Sequence, residues 1–129
     1  MHPIIAFLKA IRSVNLFIVA LLMYSLRWLV LKPLLAMHEL RLQLTELDFF
    51  LLVLSIVLAV AAGNIINDYF DLKIDRFNKP NKILIGRYVK RRVAMVTHVF
   101  MNGIALVLAV YVGYKSGIIE LALIHVICI

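Results

Sequence analysis

One stretch organises this chain: residues 64–80 read NIINDYFDLKIDRFNKP. It contains three of the four aspartates and directly follows a long apolar run that carries no charge. Asn67, Asp71 and Asp75 are four residues apart, so on a helix they share one face, and Asn64 and Asp68 lie close to that face. Carboxylates this close together repel one another unless a cation lies among them. The spacing therefore predicts a cation site.

The composition is that of a membrane protein. Of the 129 residues, 64% are hydrophobic, and the mean hydropathy is +1.01, whereas a soluble domain is roughly half apolar. A spanning helix needs about 20 residues, so the length allows roughly three to four spans. The net charge is +7. Because the basic residues cluster in one connection, they indicate membrane topology and phosphate binding, and we expect no nucleic-acid partner.

The apolar runs predict an all-α fold, a polytopic transmembrane helix bundle. Full spans are expected at about residues 14–31, 49–66 and 93–112, with a truncated fourth at 118–129. The fourth run has about a dozen residues, too few to cross the bilayer, and no polar flank follows it. We therefore expect residues 1–129 to be the N-terminal portion of one larger transmembrane domain.

Several residues near the ends of these runs carry specific expectations. Lys32-Pro33 should close the first span, because proline disfavours helical geometry in the residue before it. Asp48 could cap the second span. Arg27 is expected to snorkel to the interface beside Trp28, with a functional cavity as the alternative.

Two sets of residues predict contacts between spans. The run Ala61-Ala62-Gly63 should let a neighbouring helix approach closely. His98 and Asn102 lie one turn apart within the third span, where polar groups usually face other helices or a cavity. Helix–helix hydrogen bonding is the favoured interpretation, and a substrate contact is the alternative.

The basic residues predict the orientation. Residues 71–92 contain eight cations, whereas the connection 32–48 contains two. The eight are Lys73, Arg76, Lys79, Lys82, Arg87, Lys90, Arg91 and Arg92. By the positive-inside rule, the 67–92 loop and the N-terminus are cytoplasmic, and 32–48 lies outside.

Four interpretations compete for the aspartate-rich stretch. A plain solvated helix end is disfavoured, because acids at a helix C-terminus oppose the macrodipole and like charges four apart repel. A calcium loop would need alternating oxygen ligands, a central glycine and a terminal glutamate, which are absent. A cation-coupled transporter would place its acids within the bilayer, whereas these lie at its edge. The fourth interpretation is a Mg²⁺–diphosphate site.

The Mg²⁺ interpretation agrees best with the residue types. Mg²⁺ is usually held by one or two carboxylates together with substrate phosphates and water. Asn67, Asp71 and Asp75 would supply such oxygens, and the metal would neutralise charge on a departing diphosphate. Four cations, Arg76, Lys79, Lys82 and Arg87, would add counter-charge to the phosphates.

At these residues the sequence resembles the UbiA superfamily of intramembrane prenyltransferases. That family's first aspartate-rich motif, N-D-x-x-D-x-x-x-D, corresponds to residues 67–75, and the D-R-x-N-K-P that commonly follows corresponds to 75–80. Residues 12–15, RSVN, are similar to the family's first-helix entry. The resemblance implies a bundle of nine spanning helices, of which this chain would form roughly the first half. It also implies transfer of a prenyl group from an isoprenyl diphosphate to a small acceptor.

The resemblance also implies roles for individual residues. Asp71 and Asp75 would be catalytic, and together with Asn67 they would bind Mg²⁺. The residues expected to bind the diphosphate are Asn67, Asp68, Arg76, Lys79, Lys82 and Arg87. The acceptor would be a glyceryl phosphate or an aromatic quinone precursor, in a bacterial or archaeal-type cell membrane.

Two departures from the family pattern bear on activity. No aspartate follows Asp75, so this chain carries only the first of two aspartate-rich motifs, and alone it should bind diphosphate weakly or not at all. The stretch 81–86 reads NKILIG, where many family members have an arginine-proline pair before the glycine. Lys82 can supply a charge there but not a bidentate contact. A non-catalytic membrane protein or cation-coupled transporter remains the alternative.

Overall fold

The computed structural model describes residues 2–39, 44–78 and 83–117, and this part of the chain is a bundle of helices. The elements are α1 (Pro3–Ala10), α2 (Ser13–Ser25), a π-helical segment (Leu26–Leu31), α3 (Lys32–Met37), α4 (Glu46–Phe70), α5 (Leu72–Asn78) and α6 (Arg91–Ser116). The predicted all-α fold class is confirmed. The expected partial span at 118–129 lies outside the described residues.

Three helical runs are long and apolar enough to cross a membrane: Ser13–Met37, Glu46–Phe70 and Arg91–Ser116. Each contains one of the three spans expected from the sequence and extends beyond it. A span predicted from an apolar run ends at the first polar residue. The helix itself continues until its backbone hydrogen bonding ends. The chain is therefore built as a polytopic membrane protein.

The prediction that Lys32-Pro33 closes the first span is wrong. The helical run continues through Pro33 to Met37. Proline lacks an N–H group, and its ring crowds the carbonyl four residues earlier. The π-helical segment Leu26–Leu31 lies directly before α3, and such local widening lets membrane helices accommodate a proline.

The largest helix–helix interface joins α4 and α6. Its small side chains include Ala61, Ala62, Ala105 and Ala109, all nearly inaccessible to solvent. Small residues let two backbones approach closely, which favours packing in lipid. The expectation for Ala61 and Ala62 is confirmed, but Gly63 does not share it, because a Cβ placed there would meet nothing within 4 Å.

Two hydrogen bonds fix the register of this interface. Ser55 Oγ donates to the carbonyl oxygen of Ala105 at 3.0 Å. His98 Nδ1 lies 3.0 Å from the carbonyl oxygen of Ala62, to which only its N–H form can donate. The partner on α6 falls from 105 to 98 as the residue on α4 rises from 55 to 62, so the helices are antiparallel. The helix–helix interpretation of His98 is confirmed.

Asp48 is not the cap of the second span. Thr45 is the N-cap, and its Oγ1 accepts a hydrogen bond from the Asp48 backbone N–H at 3.2 Å. The carboxylate of Asp48 instead accepts from Thr45 Oγ1 at 2.6 Å and from Lys115 Nζ at 2.8 Å. Asp48 therefore ties the beginning of α4 to the end of α6.

Arg27 does not snorkel, because its side chain is only 2% exposed. Nη2 lies 3.0 Å from Glu46 Oε1 and donates to the Leu44 carbonyl oxygen at 3.3 Å. The guanidinium carbon lies 4.3 Å from the centroid of the Phe49 ring. These partners pull the guanidinium inward. Among the described residues, Nε and Nη1 have no hydrogen-bond partner.

The other end of the bundle, which we call the aspartate end, has its own small core. Its buried residues are Ala6, Ile65, Leu72, Ile85, Val89 and Ala94. They come from α1, α4, α5, the turn at residues 85–89 and α6, so one cluster joins five elements. Gly86 has φ +86° within this turn, a conformation that costs glycine little and other residues more. This core holds α5 against the end of α4.

Candidate functional site

The aspartate-rich stretch follows a nearly continuous helical path. α4 ends at Phe70, Asp71 is its C-cap with φ −73° and ψ −7°, and α5 begins at Leu72. The Asp71 N–H donates to the Asn67 carbonyl oxygen at 2.9 Å, and the Asp75 N–H donates to the Asp71 carbonyl oxygen at 2.8 Å. Both bonds have the i to i−4 spacing of an α-helix. Asn67, Asp71 and Asp75 therefore follow one another at successive helical turns.

The structure divides the stretch into an open face and an anchored face. On the open face, Asn67 and Asp71 are exposed and Asp75 is half-buried. On the anchored face, Asn64 and Asp68 are half-buried, and both contact the junction between α1 and α2. At 100° per residue the mean directions of the two sets differ by only about 40° around the helix axis, so exposure and contacts, rather than direction, distinguish the two faces.

The anchored face holds the junction through two side chains. Asn64 Nδ2 donates to the Ile11 carbonyl oxygen at 3.0 Å. Arg12 Nη2 lies 3.4 Å from Asp68 Oδ1. Arg12 itself has φ 55° and ψ 55°, a left-handed conformation that costs a non-glycine residue roughly 1–2 kcal/mol. The contacts with α4 offset this cost, and the kink directs the arginine toward Asp68.

The oxygen donors of the open face are of the type that Mg²⁺ shares with a bound ligand. Among the described residues, no group of three or more His, Cys, Asp or Glu side chains forms a metal cage. The face offers the amide oxygen of Asn67 and the carboxylates of Asp71 and Asp75. Hard oxygen donors in this number fit Mg²⁺, which commonly uses one or two carboxylates plus substrate phosphates and water. The donor set thus agrees with a metal held jointly by protein and diphosphate.

The expected phosphate-binding cations are only partly described. Arg87 is exposed in the turn after Gly86, and its guanidinium carbon lies 5.4 Å from the centroid of the Tyr88 ring. Lys79 and Lys82 lie outside the described residues, and for Arg76 only the backbone within α5 is described. The roles of these cations remain predictions.

The sequence alone did not reveal the contacts of Arg12 and Asn64. In the sequence, Arg12 belongs to a stretch that resembles a first-helix entry, and Asn64 lies near the aspartates. One available signal was the spacing of Asn64 and Asp68, which places both on one helical face. The residues that contact that face, Ile11 and Arg12, lie 53 and 56 residues earlier in the chain. Only tertiary packing brings them to it.

Comparison with known proteins gives one family. A family model described as the UbiA prenyltransferase family matches residues 34–129. A digeranylgeranylglyceryl phosphate synthase of Thermococcus sibiricus is 35% identical over 71 residues, which are 55% of this chain and 25% of that protein. The synthase of the same name from Methanothermobacter thermautotrophicus is 36% identical over 74 residues, 56% of this chain and 26% of that protein.

A third relative of that name, from Pyrococcus abyssi, is 38% identical over 66 residues, 51% of this chain and 24% of that protein. The chain thus matches about a quarter of the length of these curated relatives. No solved structure matches it. The family model covers most of the chain, including the aspartate-rich stretch and two of the three long apolar helices. The chain is an integral membrane protein that belongs to the UbiA prenyltransferase family.

Proposed function

We propose that the chain takes part in Mg²⁺-dependent transfer of a prenyl group from an isoprenyl diphosphate to a small acceptor within the membrane. The observation that carries this proposal is the open face of Asn67, Asp71 and Asp75 at the end of a membrane-spanning helix. Its oxygen donors lie at successive turns, with Asn67 and Asp71 exposed and Asp75 half-buried. A diphosphate can reach them while its apolar tail stays among the helices.

The residues of the open face and Arg87 would have separate roles in this reaction. Asn67, Asp71 and Asp75 would hold the metal, which supplies neutralisation of the diphosphate's negative charge. Arg87 would contact phosphate oxygens by charge-assisted hydrogen bonds. The allylic C–O bond breaks with its electron pair leaving on the diphosphate. The acceptor oxygen or carbon then bonds the electron-poor prenyl carbon and releases a proton.

The anchored face would keep these donors in register. Asn64 and Asp68 fasten the last turns of α4 to the α1–α2 junction, so the helix end that carries Asn67 and Asp71 has less freedom. Metal ligands need such support, because small displacements weaken binding. Asp68 would thus act through its contact with Arg12, and the neighbouring side chains would bind the metal.

For the acceptor, we propose a glyceryl phosphate carrying one prenyl chain. The three relatives described above are named digeranylgeranylglyceryl phosphate synthases. An aromatic quinone precursor is the competing acceptor. We further propose that the aspartate end is cytoplasmic, because the connection beside it has eight cations and the opposite connection has two, and cytoplasmic connections carry the excess of Lys and Arg.

The experiment uses the complete product of the gene that encodes this chain, reconstituted in liposomes. Radiolabelled geranylgeranyl diphosphate is supplied with geranylgeranylglyceryl phosphate or with 4-hydroxybenzoate, in Mg²⁺ or in EDTA. We expect labelled lipid with the glyceryl phosphate only, and none in EDTA. Labelled hydroxybenzoate would reassign the acceptor. No product from either acceptor, with intact diphosphate, would support a non-catalytic or cation-transporting protein.

A further inference from the structure

A groove at the aspartate end is not used by the proposed reaction. It has a volume of about 460 Å³ and an almost entirely apolar wall. The wall is formed by Ile4, Phe7, Tyr88, Val89, Lys90 and Val93. These residues come from α1, the turn before α6 and the first turn of α6. None of the open-face donors lines the groove, so the groove and the open face are separate.

The chain segment beside the groove is strongly basic. Lys90 lines the groove, and Arg87, Arg91 and Arg92 lie within three residues along the chain and are exposed. None of these four cations forms an ion pair with a described residue; the ion pairs found involve other side chains. A cation on the wall of an apolar groove, with further exposed cations next to it in the chain, attracts a molecule that is anionic at one end and apolar at the other.

The groove lies where a membrane lipid can reach it. α1 exposes Ile4, Ile5 and Leu8, although it sits at the end of a spanning bundle. Lys9 is exposed on the same short helix. Aliphatic side chains combined with a cation are typical of a helix lying in the membrane interface. Since Ile4 also belongs to the groove, the groove opens toward lipid.

We propose that the groove binds one anionic membrane lipid, with a hydrocarbon chain along Phe7 and Val93 and the head-group phosphate on Lys90. Basic pockets at the cytoplasmic ends of spanning helices bind anionic head groups in this way. The volume falls within the range of about 300–1,000 Å³ that is typical of ligand pockets. Bound lipid would join α1 to the beginning of α6.

The test measures lipid retention by native mass spectrometry. The complete gene product is purified from liposomes of equal phosphatidylglycerol and phosphatidylcholine. We expect one phosphatidylglycerol to stay bound. Lys90→Gln and Val93→Phe should each lower its retention at least threefold, the first by removing the charge and the second by filling the groove. Lys9→Gln and Val96→Phe are the matched controls, because neither residue lines the groove, and they should retain the lipid.

Three results would overturn the proposal. Equal retention of the two lipids would show a non-selective surface. Equal retention in the groove variants and their controls would show that the lipid binds elsewhere on the protein. Displacement of the lipid by geranylgeranyl diphosphate would make the groove a substrate site. Lys90 is exposed and has no described side-chain hydrogen bond, so Lys90→Gln is a usable variant even if Val93→Phe misfolds. Turnover is not measured, so the outcome is independent of the prenyl-transfer proposal.

Discussion

The guanidinium of Arg12 lies 3.4 Å from the carboxylate of Asp68, a residue 56 positions later in the chain. This contact joins the kink between α1 and α2 to the last turn of α4, directly beside the exposed Asn67 and Asp71. Asp68 therefore contacts the α1–α2 junction, whereas Asn67 and Asp71 in the same aspartate-rich run are exposed to solvent.

The first prediction separates the two asparagines. Asn64→Ala removes the hydrogen bond to the Ile11 carbonyl oxygen, so we expect the free energy of unfolding to fall by about 1 kcal/mol. Asn67→Ala removes an exposed side chain and should change stability by less than about 0.5 kcal/mol, while prenyl transfer falls at least tenfold. Denaturant titration in detergent and the liposome assay measure the two quantities. Equal stability losses in both variants would contradict the division into faces.

The second prediction concerns the Arg12–Asp68 pair. Arg12 is half exposed, so the pair should contribute no more than about 1 kcal/mol to stability. Arg12→Gln and Asp68→Asn should each lower the apparent affinity for Mg²⁺ severalfold, and the double variant should lose little more than either one. Lys9→Gln, which removes a nearby exposed cation, is the control. Fully additive losses would show that the two residues act separately.

The third prediction concerns packing between α4 and α6. Ala62 is fully buried at this interface, so Ala62→Leu should cost about 1–3 kcal/mol through overpacking. A methyl group at the adjacent Gly63 meets nothing within 4 Å, so Gly63→Ala should stabilise the helix by about 0.5–1 kcal/mol. Thermal unfolding in detergent compares the two variants. A loss of stability in Gly63→Ala would show that another helix lies against that position.

The fourth prediction concerns the buried Arg27. Glu46→Gln removes the carboxylate, itself 61% exposed, that lies 3.0 Å from the buried guanidinium, and a buried charge left without its partner destabilises a protein. Arg27→Met removes the charge together with its two unsatisfied nitrogen groups. We therefore expect Glu46→Gln to destabilise the protein by about 2 kcal/mol and Arg27→Met to destabilise it by less. Unfolding curves in detergent decide the order, and the reverse order would show that Glu46 contributes little to holding Arg27.

Local sequence patterns predicted the features that depend on local physics. Apolar runs located the three long helices, and four-residue spacing placed Asn67, Asp71 and Asp75 at successive turns. The errors arose where tertiary contacts compete with local preference. Pro33 ends a helix in water, but a π-helical segment accommodates it here. Arg27 would reach water from an isolated helix, but here it is buried against Phe49 and contacts the Leu44 carbonyl oxygen and Glu46.

The pairing of Arg12 with Asp68 shows a second kind of limit. Spacing can place Asn64 and Asp68 on one face, but it does not say which distant segment covers that face. The same holds for Asp48, whose partner Lys115 is 67 residues away. Such contacts depend on how the helices pack against one another in the complete fold. Local spacing in the sequence does not reveal that packing.

We propose above all that the carboxylate of Asp71 acts in Mg²⁺-dependent prenyl transfer. The most direct measurement is kcat/KM for geranylgeranyl diphosphate in liposomes containing the complete gene product with Asp71→Asn. Glu39→Gln is the control, because it removes an exposed carboxylate outside the site. We predict a loss of at least about 100-fold for Asp71→Asn, with unchanged unfolding and a fully active control. Activity within a factor of two of the unsubstituted protein would contradict the account.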